Sequence, residues 1–160
     1  MLCAYYDKIA EGYEELHKNE QIQKIRLISD HLKIDKNDLL LDVGCGTGLT
    51  TRFWSCRRIG LDPAIRLLKK TDKKGYVNAE AENIPFKDNV FDIVISVTAI
   101  QNFHNIKKGL EEIKRVGKNR FALSFLKKSS KKENIRNLIE EIFDVKKVIE
   151  EEKDLIYFIG

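Results

Sequence analysis

Three glycines at alternate positions, Gly44, Gly46 and Gly48, follow the apolar run 39–43, and an aspartate, Asp42, stands two positions ahead of the first. A strand that runs straight into such a turn and then into a helix offers a ligand close access to backbone N–H groups and to the positive helix end. A phosphate-binding P-loop needs G-x-x-x-x-G-K-[S/T], and no Lys-Ser or Lys-Thr follows these glycines. A dinucleotide fingerprint needs G-x-G-x-x-G, but position 49 is Leu49 and the third glycine falls at 48. What remains is D-x-G-x-G-x-G. A carboxylate beside the turn repels a pyrophosphate and attracts the ammonium of an amino-acid-bearing cofactor. A second carboxylate, Asp62, closes the next apolar run, where a ribose diol would hydrogen-bond to it. The bland reading of each part is a tight connection with Asp42 or Asp62 as a helix cap; the conjunction describes a nucleoside joined to an amino acid.

The elements that must hold these residues follow from the order in which apolar periodicity changes. Ile9, Tyr13 and Leu16, then Ile22, Ile25, Ile28 and Leu32, fall on helical spacings and predict two short amphipathic helices. Strands are expected at 39–43, 58–61 and 75–78. The β-branched run 91–97 is apolar on both faces, as in the middle of a parallel sheet. Ile106, Leu110 and Ile113 mark a helix with Gly117 as its C-terminal cap; a strand at 121–126 and a helix through Ile135, Leu138, Ile139 and Ile142 come next. The runs 145–149 and 155–159 flank a polar turn and read as a hairpin. The expected fold is α/β: a Rossmann-like three-layer α/β/α sandwich on a mostly parallel seven-stranded sheet that ends in an antiparallel hairpin. It reads as one domain, with a helical leader or lid over 1–34, a cofactor-binding core over 35–126 and a C-terminal helix and hairpin over 127–160.

Composition narrows the classes. A chain of 160 residues, 42% hydrophobic, can bury a core of its own, and no apolar run approaches the roughly 18 residues of a membrane span. Three cysteines without C-x-x-C spacing argue against a disulfide framework and a zinc site, so no metal is expected and a cytoplasmic location is. A net charge of +4 favours an acidic partner without requiring one.

The run Leu40-Leu41-Asp42-Val43-Gly44-Cys45-Gly46-Thr47-Gly48 resembles the first motif of the class I S-adenosylmethionine-dependent methyltransferases with a methyltransferase 11-like core. Ile59-Gly60-Leu61-Asp62-Pro63 resembles that family's ribose-binding strand end. Ala79-Glu80-Ala81-Glu82-Asn83-Ile84-Pro85-Phe86, with Asp88 and Phe91-Asp92-Ile93-Val94 behind it, resembles the adenine segment and fourth strand. The resemblance covers about residues 35–126. It implies S-adenosylmethionine as cofactor, with S-adenosylhomocysteine as product. Gly44, Gly46 and Gly48 would approach the methionine moiety with Asp42 and the Cys45 backbone. Asp62, beside Pro63, would hold the ribose hydroxyls. Glu80, the Ala81 backbone and Glu82 would face the adenine, and Ser96, ending the fourth strand, completes the cofactor-binding set. Glu80 stands where the family commonly has Asp, and only a short helix fits between the first two strands. Tyr5 to Tyr13 resembles a lid segment, which makes Tyr6 and Tyr13 pocket candidates through attraction between ring and sulfonium; anchoring the helix to the core is the other reading.

Methyl transfer from a sulfonium is an in-line displacement with a good leaving group, so positioning dominates and a general base is optional. The acceptor would lie at the carboxyl edge of the sheet, where 96–104 leave the fourth strand. His104 is the candidate proton acceptor there, against a surface or packing histidine, and Gln101 or Asn102 would orient an acceptor. An N/D-P-P-F/Y signature for amino-group methylation is missing. No long insertion roofs a small substrate, which favours RNA or protein as the acceptor, or a partner subunit that completes the site. The basic loop 127–132 is placed to meet phosphates. The alternatives are a small-metabolite methyltransferase and a non-catalytic cofactor-binding subunit; no membrane role is expected.

Overall fold

A leading helix, α1 (Leu2–His31), is followed by β1 (Leu39–Val43), α2 (Leu49–Phe53), β2 (Arg57–Asp62), α3 (Ile65–Leu68), β3 (Tyr76–Asn78) and β4 (Phe91–Ser96). The chain continues through α4 (Ile106–Val116), β5 (Gly117–Leu126), α5 (Lys132–Ile142), β6 (Val145–Glu150) and β7 (Asp154–Ile159), with 3-10 turns at Ala81–Asn83 and Ile100–Asn102. This computed structural model describes residues 2–72 and 74–160, and their side chains from His17 onward. Seven strands form one sheet in the order β3-β2-β1-β4-β5-β7-β6. The first five are parallel, and β7 is antiparallel to both its neighbours. The expected α/β architecture is therefore the observed one.

Each face of the sheet has its own core. Leu40, Ile93, Ile95, Ala122, Ile156 and Phe158 point to one side, where Ile25 and Ile28 of α1, Leu32 just after it and Trp54 after α2 cover them. Leu41, Val43, Val94, Phe121, Leu123 and Tyr157 point to the other, beneath Leu110 and Ile113 of α4 and Ile135 and Ile139 of α5. The alternation of Leu40 with Leu41, and of Ile93 with Val94, is the period-two consequence of a strand buried on both faces. Order β3-β2-β1-β4 reverses direction at β1 and β4, and this switch point places the glycine turn and the end of β4 at one crevice.

One expectation needs correction. The two leading helices are one, because 17–20 contain no glycine or proline to interrupt hydrogen bonding and the stripe from Ile25 to Leu32 gives the helix a surface to pack on. Gly117 caps α4 as expected, its N–H donating to Ile113 O, but with φ −90° instead of a left-handed value, since it is also the first residue of β5. A glycine is needed there because a Cβ would run into the Phe121 ring.

Candidate active site

The glycine turn folds back on β2. Gly44 and Cys45 N–H both donate to Leu61 O, at 2.7 and 3.0 Å. Gly44, Gly46 and Gly48 have φ of +77°, +55° and +80°, a conformation that L side chains rarely adopt. Space is short as well: a Cβ on Gly44 would stand 2.5 Å from Ala99 Cβ, and one on Gly48 2.5 Å from Tyr76 Oη.

Asp62 holds this turn from β2. Its Oδ2 accepts from Gly46 N–H at 2.9 Å and its Oδ1 from Ala64 N–H at 2.8 Å. Each oxygen keeps a second lone pair. Burial raises the Asp62 carboxyl above its ordinary range, partly offset by these two N–H donors. Asp42 lies on β1 and is fully buried. Its Oδ2 accepts from the Thr50 hydroxyl and, at 2.8 Å, from Thr51, both on the first turn of α2. Its Oδ1 is buried without a hydrogen-bond partner. Burial pushes the Asp42 carboxyl up to about 6 despite the two hydroxyls. An orphaned, buried carboxylate oxygen two residues before the glycine turn has the chemistry to receive an ammonium, so the residues fit an amino-acid-bearing cofactor. The Cys45 thiol is buried and pushed up, which leaves it an inert neutral group.

On the far side of Asp62, the segment after β3 is tied to α4. Arg115 donates to Ile84 O at 3.0 Å and Phe86 O at 2.9 Å, and pairs with Glu112 and Asp88. Glu112 in turn accepts from Ile84 N–H at 2.9 Å. Ala81 is buried, Glu80 and Pro63 are exposed, and the Glu82 carboxylate turns away to accept from Asn105 N–H at 2.9 Å. Ser96 donates from its hydroxyl to Val43 O at 2.9 Å, stitching β4 to β1 just below the glycine turn.

Beyond Ser96 a polar cluster forms that the sequence did not reveal. Thr98 has φ +54°, rare for a β-branched residue, and all its polar groups are engaged. Its N–H donates to Ser124 Oγ at 2.9 Å and its O accepts from Gln101 Nε2 at 3.0 Å. Its hydroxyl donates to Asp154 Oδ2 at 2.6 Å and accepts from Lys24 Nζ at 3.0 Å. Lys24 and Asp154 themselves pair at 3.0 Å. Gln21 Oε1 and Gln101 Oε1 are buried without partners. The one sequence signal was Lys24, a cation inside the apolar stripe of α1. His104 is exposed after the second 3-10 turn and Asn102 is exposed within it. In the basic loop, Lys127 pairs with Glu150 at 3.1 Å and Lys131 donates to Gln101 O at 3.1 Å. Tyr6 and Tyr13 lie outside the residues whose side chains are described. Among the described residues no three His, Cys, Asp or Glu side chains gather as a metal site, and no helix is long and apolar enough to cross a membrane.

Fold and glycine turn together are those of an α/β domain of the methyltransferase type. The sequence profile of the methyltransferase domain family matches residues 41–125, just over half of the chain, and the protein belongs to that family. The chain is similar to a malonyl-[acyl-carrier protein] O-methyltransferase of Hamiltonella defensa, 32% identical over 122 residues that are 72% of this chain and 47% of that protein. It spans about half the length of the curated relatives it matches. Among solved structures it resembles a SAM-dependent methyltransferase from Aquifex aeolicus, with TM-score 0.72, 18% identity and 84% and 88% of the two chains covered. It also resembles the methyltransferase partner in the Haloferax volcanii Trm112 methyltransferase activator complex, with TM-score 0.75, 16% identity and coverage of 93% and 92%.

Proposed function

We propose that this chain binds S-adenosylmethionine in the crevice between the glycine turn and the end of β4, and transfers its methyl group to a nucleophile on RNA or protein. The observation that carries the reading is Asp42 Oδ1, a buried carboxylate oxygen with no partner beside a turn of three left-handed glycines. When bound, the cofactor supplies an electrophilic methyl group on a sulfonium that leaves as a neutral thioether. Asp42 receives the ammonium and Asp62 the ribose hydroxyls through its free lone pairs. Ala81 lines the adenine side, where Arg115 and Glu112 fix the backbone of 84–86. Thr98 sets the direction in which 99–104 leave β4, and Gln101 or Asn102 orients the acceptor. His104 is exposed at this edge and would take up the acceptor's proton or pass it to solvent.

A macromolecular acceptor is supported by the short connections at the carboxyl edge, 97–105 after β4 and 127–131 after β5, which leave little chain to roof a small substrate. The likeness to a methyltransferase crystallised with an activator supports a second reading, in which a partner subunit completes the acceptor site. Calorimetric titration with S-adenosylmethionine, S-adenosylhomocysteine and NAD tests the core of the proposal. Heat is expected with both sulfur nucleosides; its absence with both refutes the assignment. Tritium transfer from labelled cofactor to total RNA, protein extract or metabolite pools then separates the acceptors. Binding without transfer until a partner is added supports the second reading.

A further inference from the structure

The segment 52–74 holds eight Lys and Arg against two Asp, a net of +6 in a chain whose total is +4, so the remainder is acidic on balance. Folding gathers this charge at one side. The segment supplies the end of α2, all of β2, α3 and the turn into β3, and β3 and β2 are the two outermost strands at that edge. Because β1, β2 and β3 step outward in succession, right-handed crossovers put α2 and α3 on the same face of the sheet. Those helices are only five and four residues long, about one turn each, and leave the outer part of that face open.

Tyr76 lies across the opening. A Cβ on Gly60 would stand 2.7 Å from its ring, and its hydroxyl reaches Gly48 at the start of α2. Beside the ring is a cleft of about 310 Å³ whose walls include Thr51, Arg58, Lys74 and one carboxylate, Asp72. Arg58 donates to Cys56 O at 3.4 Å and enters no ion pair among the described residues. Arg52 donates to Thr47 O at 2.9 Å, within the glycine turn. The Asp72 carboxylate and both guanidiniums are near enough to act electrostatically, in opposite senses, on the Tyr76 hydroxyl. The Tyr76 ring is itself half-buried, whereas the exposed Phe53 at the end of α2 lines a separate cleft with Leu32 and Trp54.

We propose that Arg52, Arg58 and Lys74 around Tyr76 form a docking cleft for the phosphodiester backbone of a single-stranded nucleic acid. Guanidinium, ammonium and phenol donors are the types that meet phosphate oxygens. Cations without carboxylate partners gain most from releasing a polyanion's counterions. The half-buried Tyr76 ring within the cleft provides an aromatic face for a base, which a membrane or an acidic protein would not use in this way. A concave seat also suits a threading strand better than a flat lipid surface. Docking does not depend on methyl transfer; that the docked strand is the acceptor rests on the reading above.

Fluorescence anisotropy of a labelled oligouridylate, titrated at several salt concentrations, tests this in the parent chain and in Arg58→Gln/Lys74→Gln. The double variant is expected to bind about tenfold or more weakly at low salt, with the slope of log K against log salt shallower by about 1.4, since each lost phosphate contact to a single strand removes about 0.7. Lys127→Gln/Lys128→Gln, which removes the same charge from the loop after β5, should change binding less. Equal losses in the two variants, or none in the first, would overturn the cleft. So would parent chain that ignores oligouridylate but binds phosphatidylserine vesicles through Arg58 and Lys74. Calorimetry with S-adenosylhomocysteine on the same samples should give parent affinity in both variants; a parent chain that binds the strand but not the nucleoside would remove the acceptor role and leave the docking cleft standing.

Discussion

Lys24 on α1 and Asp154 at the first position of β7 form an ion pair with Nζ 3.0 Å from Oδ1, and their side chains are 2% and 0% exposed. Taking two charges out of water costs several kcal/mol each; the Thr98 and Ser124 hydroxyls both donate to Asp154 Oδ2, which offsets part of that cost, while Oδ1 faces the Lys24 ammonium and has no hydrogen-bond partner. The pair joins the leading helix to the far hairpin and, through Thr98, to the carboxyl end of β4.

Removing one partner leaves the other charge buried. Lys24→Met is therefore expected to lower unfolding free energy by about 3–5 kcal/mol. Combining it with Asp154→Asn, which removes the uncompensated charge and keeps an acceptor for the two hydroxyls, should recover part of that loss. Urea denaturation of the three proteins is the check; a double variant no more stable than Lys24→Met would assign the effect to packing of the lysine stem.

The raised Asp42 carboxyl gives stability a pH dependence of definite sign. An acid whose pKa is about 6 when folded and 3.8 when unfolded binds its proton more tightly in the folded state. Its contribution is greatest below 3.8 and is lost as pH rises to about 6, a change on the order of 3 kcal/mol. Above that the curve is flat. Thermal melts of the cofactor-free chain between those limits should show this fall, and Asp42→Asn should reduce it, leaving the part that the raised Asp62 carboxyl contributes.

The same group makes the opposite prediction for binding. An ammonium is attracted to the carboxylate and not to the acid, so S-adenosylhomocysteine affinity should rise as pH passes about 6. In Asp42→Asn it should be weaker by about tenfold and independent of pH there, the scale of one charge-assisted hydrogen bond. Calorimetry at a few pH values decides, and equal affinities for parent and variant would remove Asp42 from the cofactor site.

Gly44→Ala meets two obstacles, φ +77° and a contact of 2.5 Å with Ala99 Cβ. Strain of this kind costs about 1–3 kcal/mol, and the turn that must shift is the one proposed to face the cofactor. The variant should fold with reduced stability and lose nucleoside binding, measured by melting with and without S-adenosylhomocysteine.

Arg115→Gln tests the support of the adenine side. It removes two bonds to the carbonyls of Ile84 and Phe86 and the pairs with Glu112 and Asp88. Faster amide hydrogen exchange at 84–86, with a loss of about 1–2 kcal/mol in stability, is expected for a partly exposed guanidinium with several charged partners. Unchanged exchange would show that α4 alone holds the segment.

Much of this architecture was legible because its signals are local. The glycine spacing, the doubly apolar run at Phe91 to Ser96 and the polar turn before β7 each reflect backbone constraints within a few residues. The position of Asp42 before the glycines likewise pointed to a site, and in the structure its carboxylate is buried with one oxygen unpartnered. What the sequence did not disclose depends on distant pairing. Nothing near Lys24 points to Asp154, and nothing near Thr98 announces a left-handed β-branched residue, since the partners that hold it come from α1, β5 and β7. Glu82 reads as an adenine neighbour, but its carboxylate is engaged by the backbone of Asn105. The single leading helix escaped detection because periodicity marks the faces that pack, not the hydrogen bonds that continue between them.

Thr98 is held from three directions by groups that the following loop does not supply, so the loop's point of departure is independent of its own composition. Asn102 and His104, exposed just downstream, are thus positions where acceptor preference can drift or be redesigned while the cofactor crevice stays as it is. If the proposed methyl transfer holds, a saturation library at these two sites is the natural entry for changing its acceptor, with the buried Ala99, Ile100 and Phe103 kept constant as the frame.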